Sequence, residues 1–158
     1  AADSPSASGP VIAMFFLKEL PSRQMVDGYA GRVDDFDADA VLRALGIMRD
    51  GSLLIRELEA YFARYALSQL RFLAMIVIDR EPDRDSLTAG EIAERLDVSR
   101  PVVTRTLQGL EKAGLIATSS NADDARARDV ALTPEGHGKL DEVLPGYFAI
   151  LHHAMKGI

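Results

Sequence analysis

The stretch that decides the fold reads TAGEIAERLDVSRPVVTRTLQGLEKAGLI from residue 88 to residue 116, and VALTPEG from residue 130 to residue 136. Thr88 and Glu91 have the T-x-x-E spacing of a capping box, which predicts a short helix ending near Leu96. Ser99 is a residue type that caps a following helix, and a proline is tolerated in the first turn. Gly114 is suited to end that second helix. The sequence therefore predicts two helices joined by a tight turn.

The second of these helices has two unlike faces. At about 100° per residue, one side collects Val103, Leu107 and Leu110. The opposite side collects Pro101, Arg105, Gln108 and Lys112. We therefore expect one face to pack against the protein and the other to present hydrogen-bond donors outward.

Two short strands are predicted after this helix, at Leu115–Thr118 and Arg128–Leu132, with a polar tip at 119–127. Thr133 is suited to cap a final helix that has Pro134 at its first position. The order helix, turn, helix, hairpin is the plan of a winged helix-turn-helix, which places its second helix in the major groove of DNA.

The rest of the chain is predicted to be helical. Short helices are expected at Val11–Leu20 and Ser22–Val33, and Asp37 is suited to cap a long helix from Ala38 to Tyr65. Further expectations are a kink of the long helix near Gly51, a helix at Gln69–Ile78 capped by Ser68, a loop at 80–86, and a final helix kinked or split at Pro145–Gly146. The fold class is mainly α with a small β-hairpin wing.

Composition restricts the function more than it defines it. The chain of 158 residues has no cysteine, which excludes disulfides and thiolate metal sites and suits a reducing, cytoplasmic location. No apolar run approaches the roughly 18 residues of a membrane span. The net charge of −6 argues against nucleic acid, yet Arg100, Arg105 and Lys112 face only one acidic residue, Glu111, within the predicted second helix. A local basic strip on an acidic body can still bind phosphate, weakly and with marked salt sensitivity.

On these motifs the chain resembles the MarR family of bacterial transcriptional regulators. The resemblance is carried by residues 87–96, 98–116, the Asp124-x-Arg126 pair, and Leu132-Thr133-Pro134-Glu135-Gly136. It is strong over about residues 65–140 and absent from the first thirty-five or so.

The resemblance implies a homodimer with two winged lobes that read a pseudo-palindromic operator in double-stranded DNA. The segment at 1–10 is small, polar and rich in proline and glycine, which predicts a disordered tail. The rest of the expected domain plan has N-terminal helices at 11–66 for dimerisation and a possible ligand cleft, a DNA-binding lobe at 67–133 and a C-terminal dimerisation helix at 134–158. The resemblance also implies a small organic effector, often aromatic, bound between the dimer helices and the lobe. A repressor released by such a ligand is the expected function.

The wing departs from the family pattern. Related wings carry an arginine shortly after the Gly-Leu-Ile step and a second beside the Asp-x-Arg pair, whereas this chain has Thr118 or its neighbours and Ala125 there. Three acidic residues surround the remaining Arg126 and Arg128: Asp123, Asp124 and Asp129. Affinity for DNA is therefore expected to be modest.

The predicted DNA contacts are Ser99, Arg100, Pro101, Thr104, Arg105, Gln108, Lys112, Arg126 and Arg128. Arg105 and Gln108 are suited to guanine and adenine edges, while Ser99, Thr104 and Lys112 are suited to phosphates. Asp124 is expected to organise the wing tip by a salt bridge to Arg126, leaving the arginine free to lean toward the groove. The simpler interpretation of the polar helix face is a solvated surface.

The sequence gives weaker support for effector binding, metal binding and catalysis. Tyr61, Tyr65 and Phe72 are candidate effector contacts, although core and dimer packing explains any one of them better. His152 and His153 are adjacent and cannot easily grip one metal together, and no catalytic constellation or phosphate loop is present. We expect no metal, no cofactor and no enzymatic activity. The alternatives are a protein-interaction module, or a ligand-binding protein that keeps the winged fold with weak or no DNA binding.

Overall fold

The computed structural model describes residues 15–157, which fall into two compact units, one ending at Glu57 and one beginning at Leu58. The elements are α1 (Arg23–Asp27), α2 (Ala38–Ala63), α3 (Gln69–Asp79), β1 (Ser86–Thr88), α4 (Ala89–Arg95), α5 (Arg100–Lys112), β2 (Ile116–Ser120), β3 (Arg128–Leu132) and α6 (Pro134–Met155). The predicted fold class, mainly α with a small β wing, is confirmed. The predicted tail at 1–10 lies outside the described residues, and the other predicted boundaries stay predictions.

The first unit begins with an irregular segment, so the helix predicted at Val11–Leu20 is wrong over residues 15–20, while 11–14 lie outside the described range. Side chains of α2 hold this segment by its backbone. The amide N–H of Phe15 donates to Ser52 Oγ at 3.1 Å, and the Phe15 carbonyl accepts from Arg56 at 3.2 Å. Backbone groups that would have made a helix are thus satisfied by side chains.

The helix predicted at Ser22–Val33 is also shorter than expected, because only Arg23–Asp27 is helical. Gly28 ends it and Gly31 follows in a run of turns, in keeping with the high entropic cost of glycine inside a helix. Asp37 caps α2 as predicted, since its Oδ1 accepts from the amide of Ala40 at 3.0 Å. Gly51 lies inside α2 without ending it.

The second unit contains the predicted winged lobe. α3 begins at its predicted cap, where Ser68 Oγ accepts from Arg71 N at 3.1 Å. The interior of the lobe is apolar, and its fully buried side chains include Leu87, Ile92, Leu110 and Val130. α3 packs against α4, α5, β3 and α6, and so supports both helices of the helix-turn-helix.

The wing is a three-stranded antiparallel sheet in the order β1-β3-β2, so the predicted hairpin is present and gains a strand. β1 was not predicted because three residues show no periodicity. It exists through tertiary pairing, with Leu87 opposite Val130. In β2, Thr118 lies opposite Val130 on the other side of β3.

The turn between α5 and β2 brings the start of α6 against the wing. Gly114 has φ +77°, and the amides of Gly114 and Leu115 donate to the carbonyls of Glu111 and Leu110, each at 3.0 Å, as a Schellman cap does. Thr133 caps α6 as predicted, accepting from Gly136 N at 3.0 Å and donating to the Gly114 carbonyl at 2.6 Å. A Cβ at Gly136 would overlap the carbonyl oxygen of Leu115.

Of the two outcomes predicted at Pro145–Gly146, a kink or a split, the split is wrong because α6 is one helix, while the kink stays a prediction. Tyr61 packs against α6 beside the proline. The Tyr61 hydroxyl donates to the Val143 carbonyl at 2.7 Å, and Gly146 leaves the space that the Tyr61 ring needs. Burial of this ring raises the pKa of Tyr61, and the neighbouring Tyr65 raises it further by a smaller amount.

Candidate nucleic-acid interface

The outward face of α5 is the most distinctive surface of the lobe. Its exposed members are Arg100, Pro101, Thr104, Arg105, Gln108 and Lys112. The buried members on the opposite side are Val103, Leu107 and Leu110, together with Thr106, whose hydroxyl donates to the Val102 carbonyl at 2.8 Å. The predicted division of the helix into a packed face and a solvent-facing face is therefore confirmed.

The preceding helix, α4, is fixed by the predicted capping box. Thr88 Oγ1 accepts from Glu91 N and the Glu91 carboxylate accepts from Thr88 N, each at 3.1 Å. The pKa of Glu91 is lowered, first by this backbone hydrogen bond and then by Arg84, whose guanidinium lies 2.6 Å away. Glu91 therefore stays ionised and holds both the helix start and the loop before it.

Ser99 occupies the N-cap position of α5, but its side chain makes no capping hydrogen bond, so that part of the prediction is wrong. Pro101 in the first turn has no amide hydrogen to satisfy, which lowers the need for a side-chain cap. The Ser99 hydroxyl is exposed beside Arg100.

Two hollows at the start of α4 are lined by predicted DNA contacts, one by those of α5 and the other by those of the wing. A hollow of about 100 Å³ is lined by Ala89, Gly90, Ala93, Arg100, Val103 and Thr104. A groove of about 340 Å³ is lined by Thr88, Ala89, Gly90, Asp124, Arg126, Ala127 and Arg128. Both include Ala89 and Gly90. The arginines of the helix and of the wing therefore flank one small-residue surface.

The wing tip is organised by Asn121, a residue that the sequence did not single out. Its Oδ1 accepts from the amides of Asp123 at 2.9 Å and Asp124 at 2.8 Å, and its Nδ2 donates to Asp129 at 2.8 Å. An asparagine just before a polar turn is the signal that could have identified it.

Asp124 has a structuring position, but it acts through the backbone. Its Oδ1 accepts from Arg126 N at 2.9 Å, and no ion pair joins the two side chains in the described part of the chain. The salt bridge expected from the sequence is therefore wrong. The Arg126 guanidinium is left exposed and unpaired among residues 15–157.

Arg128 differs from Arg126 because it is tethered. Its guanidinium donates to Thr118 Oγ1 at 3.1 Å, and the Thr118 hydroxyl donates to Glu111 Oε1 at 3.0 Å. Thr118, which stands near where related wings have an arginine, thus links the base of the wing to the end of α5.

The candidate effector contacts lie in an aromatic cluster. Tyr61 and Phe72 are buried, and Phe72 stacks on Phe62 with ring centroids 4.6 Å apart. Tyr65 is half-buried, with Arg64 and Lys139 at 6.0 and 5.9 Å from its ring centre. The geometry agrees with the packing interpretation, and their role toward a ligand stays a prediction.

The class of protein is a winged helix-turn-helix protein. It is defined by the packed helix α3, the capped helix α4, the helix α5 with its exposed polar face, and the three-stranded wing. A sequence model of the MarR family matches residues 67–127 of the chain. The transcriptional repressor MprA of Escherichia coli K12 is 30% identical over 138 residues, which cover 87% of this chain and 78% of MprA. The chain belongs to the MarR family of transcriptional regulators.

Two further comparisons agree. The HTH-type transcriptional repressor YetL of Bacillus subtilis is 29% identical over 141 residues, covering 89% of this chain and 83% of YetL. The fold is also that of Sco3205, a MarR family transcriptional regulator from Streptomyces coelicolor crystallised in complex with DNA. The TM-score is 0.70 at 22% identity, with 75% of this chain and 74% of Sco3205 covered.

A membrane-spanning helix and a metal-binding cluster are both absent from the described residues. Between residues 15 and 157 no helix is long and apolar enough to cross a membrane. In the same range no three histidine or acidic side chains group closely enough to hold a metal ion.

Proposed function

We propose that this protein is a homodimeric, cytoplasmic repressor that binds a pseudo-palindromic operator in double-stranded DNA and excludes the transcription machinery without catalysing a reaction. The observation that carries the proposal is the exposed face of α5, where Arg105 and Gln108 stand opposite a buried apolar face. Their side chains suit guanine and adenine edges in the major groove. Ser99, Arg100, Thr104 and Lys112 would hold the helix in place through phosphates.

Apolar side chains left exposed support the homodimer. In the first unit they include Met25, Tyr29, Val33, Ile47 and Met48, and on α6 they include Phe148 and Met155. Burial of the exposed apolar side chains of each unit against a second copy of the chain would stabilise a dimer. A dimer would present two α5 helices, which must stand roughly 34–36 Å apart to enter successive major grooves.

The repressor function has support from the relatives, since both MprA and YetL are named as repressors. We further propose that a small organic ligand modulates DNA binding, with Tyr61, Tyr65 and Phe72 as its candidate contacts. A ligand that favours a spacing of the two lobes other than the DNA-bound one shifts the population away from DNA.

The direct test is binding of the purified protein to DNA upstream of its own and neighbouring genes, followed by fluorescence anisotropy. At about 50 mM salt we expect one fragment to bind more tightly than a shuffled duplex, and the preference to persist near 200 mM as both affinities fall. Equal binding to all duplexes, or none at either salt, would overturn the proposal and favour a protein-interaction module or a pure ligand-binding protein.

The wing gives a separate prediction. Arg126→Ala should weaken binding to specific and shuffled DNA alike and reduce the slope of log K against log salt by about 1, because one phosphate contact is lost. Asp123→Asn should instead strengthen binding to specific and shuffled DNA, since it removes a negative charge from the same wing tip. Anisotropy titrations at several salt concentrations measure both effects. If neither variant differs from wild type, the wing does not touch DNA.

A further inference from the structure

A cleft of about 280 Å³ lies in the first unit, and none of the residues assigned above to DNA or effector lines it. One wall is the irregular segment from Phe15 to Lys18, and the other is the side of α2 that carries Arg49, Ser52, Leu53 and Arg56. We call it the strap cleft. The second wall follows from helical spacing, since positions 49, 52, 53 and 56 recur at intervals of three and four residues.

The strap cleft has a fixed wall. Ser52 is 5% exposed, and its hydroxyl accepts the Phe15 amide hydrogen, while Arg56 donates to the Phe15 carbonyl. Both backbone groups of Phe15 are therefore held by α2, and its ring is buried. A segment fixed at this residue costs less entropy when its neighbours contact a ligand.

The charges of the cleft are all of one sign. Lys18, Arg49 and Arg56 line it, and no carboxylate does among the described residues. Within residues 15–157 none of the three takes part in an ion pair, whereas Arg23, Arg84 and Arg95 each do. The cleft is thus a locally basic place in a chain whose net charge is −6. The three cations repel one another unless an anion lies between them.

The donors span the cleft. Arg49 and Arg56 are two helical turns apart, about 10 Å along α2. Arg56 uses one of its five N–H donors on Phe15, so the others remain for a ligand. Lys18 adds a third cation from the opposite wall. Donors on both walls suit an anion with more than one negative group.

The rim of the cleft is apolar. Phe16 is 86% exposed, and Leu17 and Leu53 are also exposed. We propose that the strap cleft binds a compact organic dianion with an apolar edge, held by Arg49, Arg56 and Lys18. This inference does not depend on the proposed DNA binding and concerns residues other than the candidate effector contacts.

The test is calorimetric titration of the full chain, without DNA, using phthalate as the probe. Benzoate keeps the ring but has one charge, and succinate keeps two charges but lacks the ring. We expect phthalate to bind most tightly. Arg49→Gln should weaken phthalate about tenfold, because it removes one charge-assisted contact. Arg43→Gln is the matched control, since Arg43 is an exposed arginine of α2 that does not line the cleft.

Each other outcome counts against the proposal. It is overturned if phthalate fails to bind wild type at millimolar concentration, or if Arg49→Gln and Arg43→Gln bind it equally. Benzoate binding as tightly as phthalate would overturn the assignment of a dianion. The Arg49 side chain makes no hydrogen bond among the described residues, so its variant should fold, and circular dichroism verifies this. The DNA-binding assay of the wild type, run separately, distinguishes failure here from failure of the repressor proposal.

Discussion

Gly136→Ala should lower the free energy of unfolding by about 3 kcal/mol, the upper end of the cost of overpacking a tight contact. The added methyl would overlap the carbonyl oxygen of Leu115, which belongs to the backbone and cannot rotate away as a side chain can. That oxygen also accepts the Thr133 amide hydrogen at 3.1 Å, so moving it strains the cap of α6. Urea unfolding followed by circular dichroism, at one fixed protein concentration, measures the effect.

Gly138→Ala is the matched control for this prediction. Gly138 lies two residues further along α6, and nothing stands within 4 Å of an added Cβ. Alanine should therefore stabilise the protein by about 0.5–1 kcal/mol through helix propensity alone. Equal stability of the two variants would show that α6 does not rest on the Leu115 carbonyl.

Arg105→Ala should weaken binding to the preferred duplex by about 1–3 kcal/mol and relax the sequence preference at one base position. The expected cause is loss of a bidentate contact to a base edge, because Arg105 lies on the exposed face of α5. Selection of bound sequences from a randomised duplex library, with wild type and variant in parallel, measures the preference directly. Anisotropy on the selected duplex gives the affinity.

Lys112→Ala provides the comparison, because Lys112 is exposed near the end of the same helix and suits a phosphate. It should weaken all duplexes equally and leave the selected sequence unchanged. If Arg105→Ala instead selects the same sequences as wild type with the same stringency, α5 is not the reading helix.

The helix-turn-helix was predictable because its signals are local. A capping box, a proline in a first turn and a glycine at a helix end act through neighbouring residues, so the bounds of α4 and α5 follow closely from the sequence. The burial of Val103, Leu107 and Leu110 follows from helical periodicity alone.

Where the sequence failed, distant residues decided the outcome. Residues 15–20 have helical composition, yet Ser52 and Arg56 hold Phe15 in an irregular segment. Pro145 predicts a kinked or split helix, yet α6 is continuous, and Tyr61 packs against it beside the proline. β1 has no signal of its own and forms because β3 supplies its hydrogen-bond partners.

The candidate nucleic-acid interface also has one part that local sequence signals predicted and one part that distant contacts decided. By itself the sequence determined which helix would present a polar face and which of its side chains would face outward, since both depend on residues within about one turn of each other. Only the tertiary structure decided that Arg128 is tethered through Thr118 to Glu111 while Arg126 is left unpaired among the described residues. Only it showed that Asn121 organises the wing tip and that Lys18 and Arg49 share a cleft. The physical reason is that these contacts join side chains whose meeting depends on how the turns and packed elements bring them together, and no local rule of the sequence specifies that meeting.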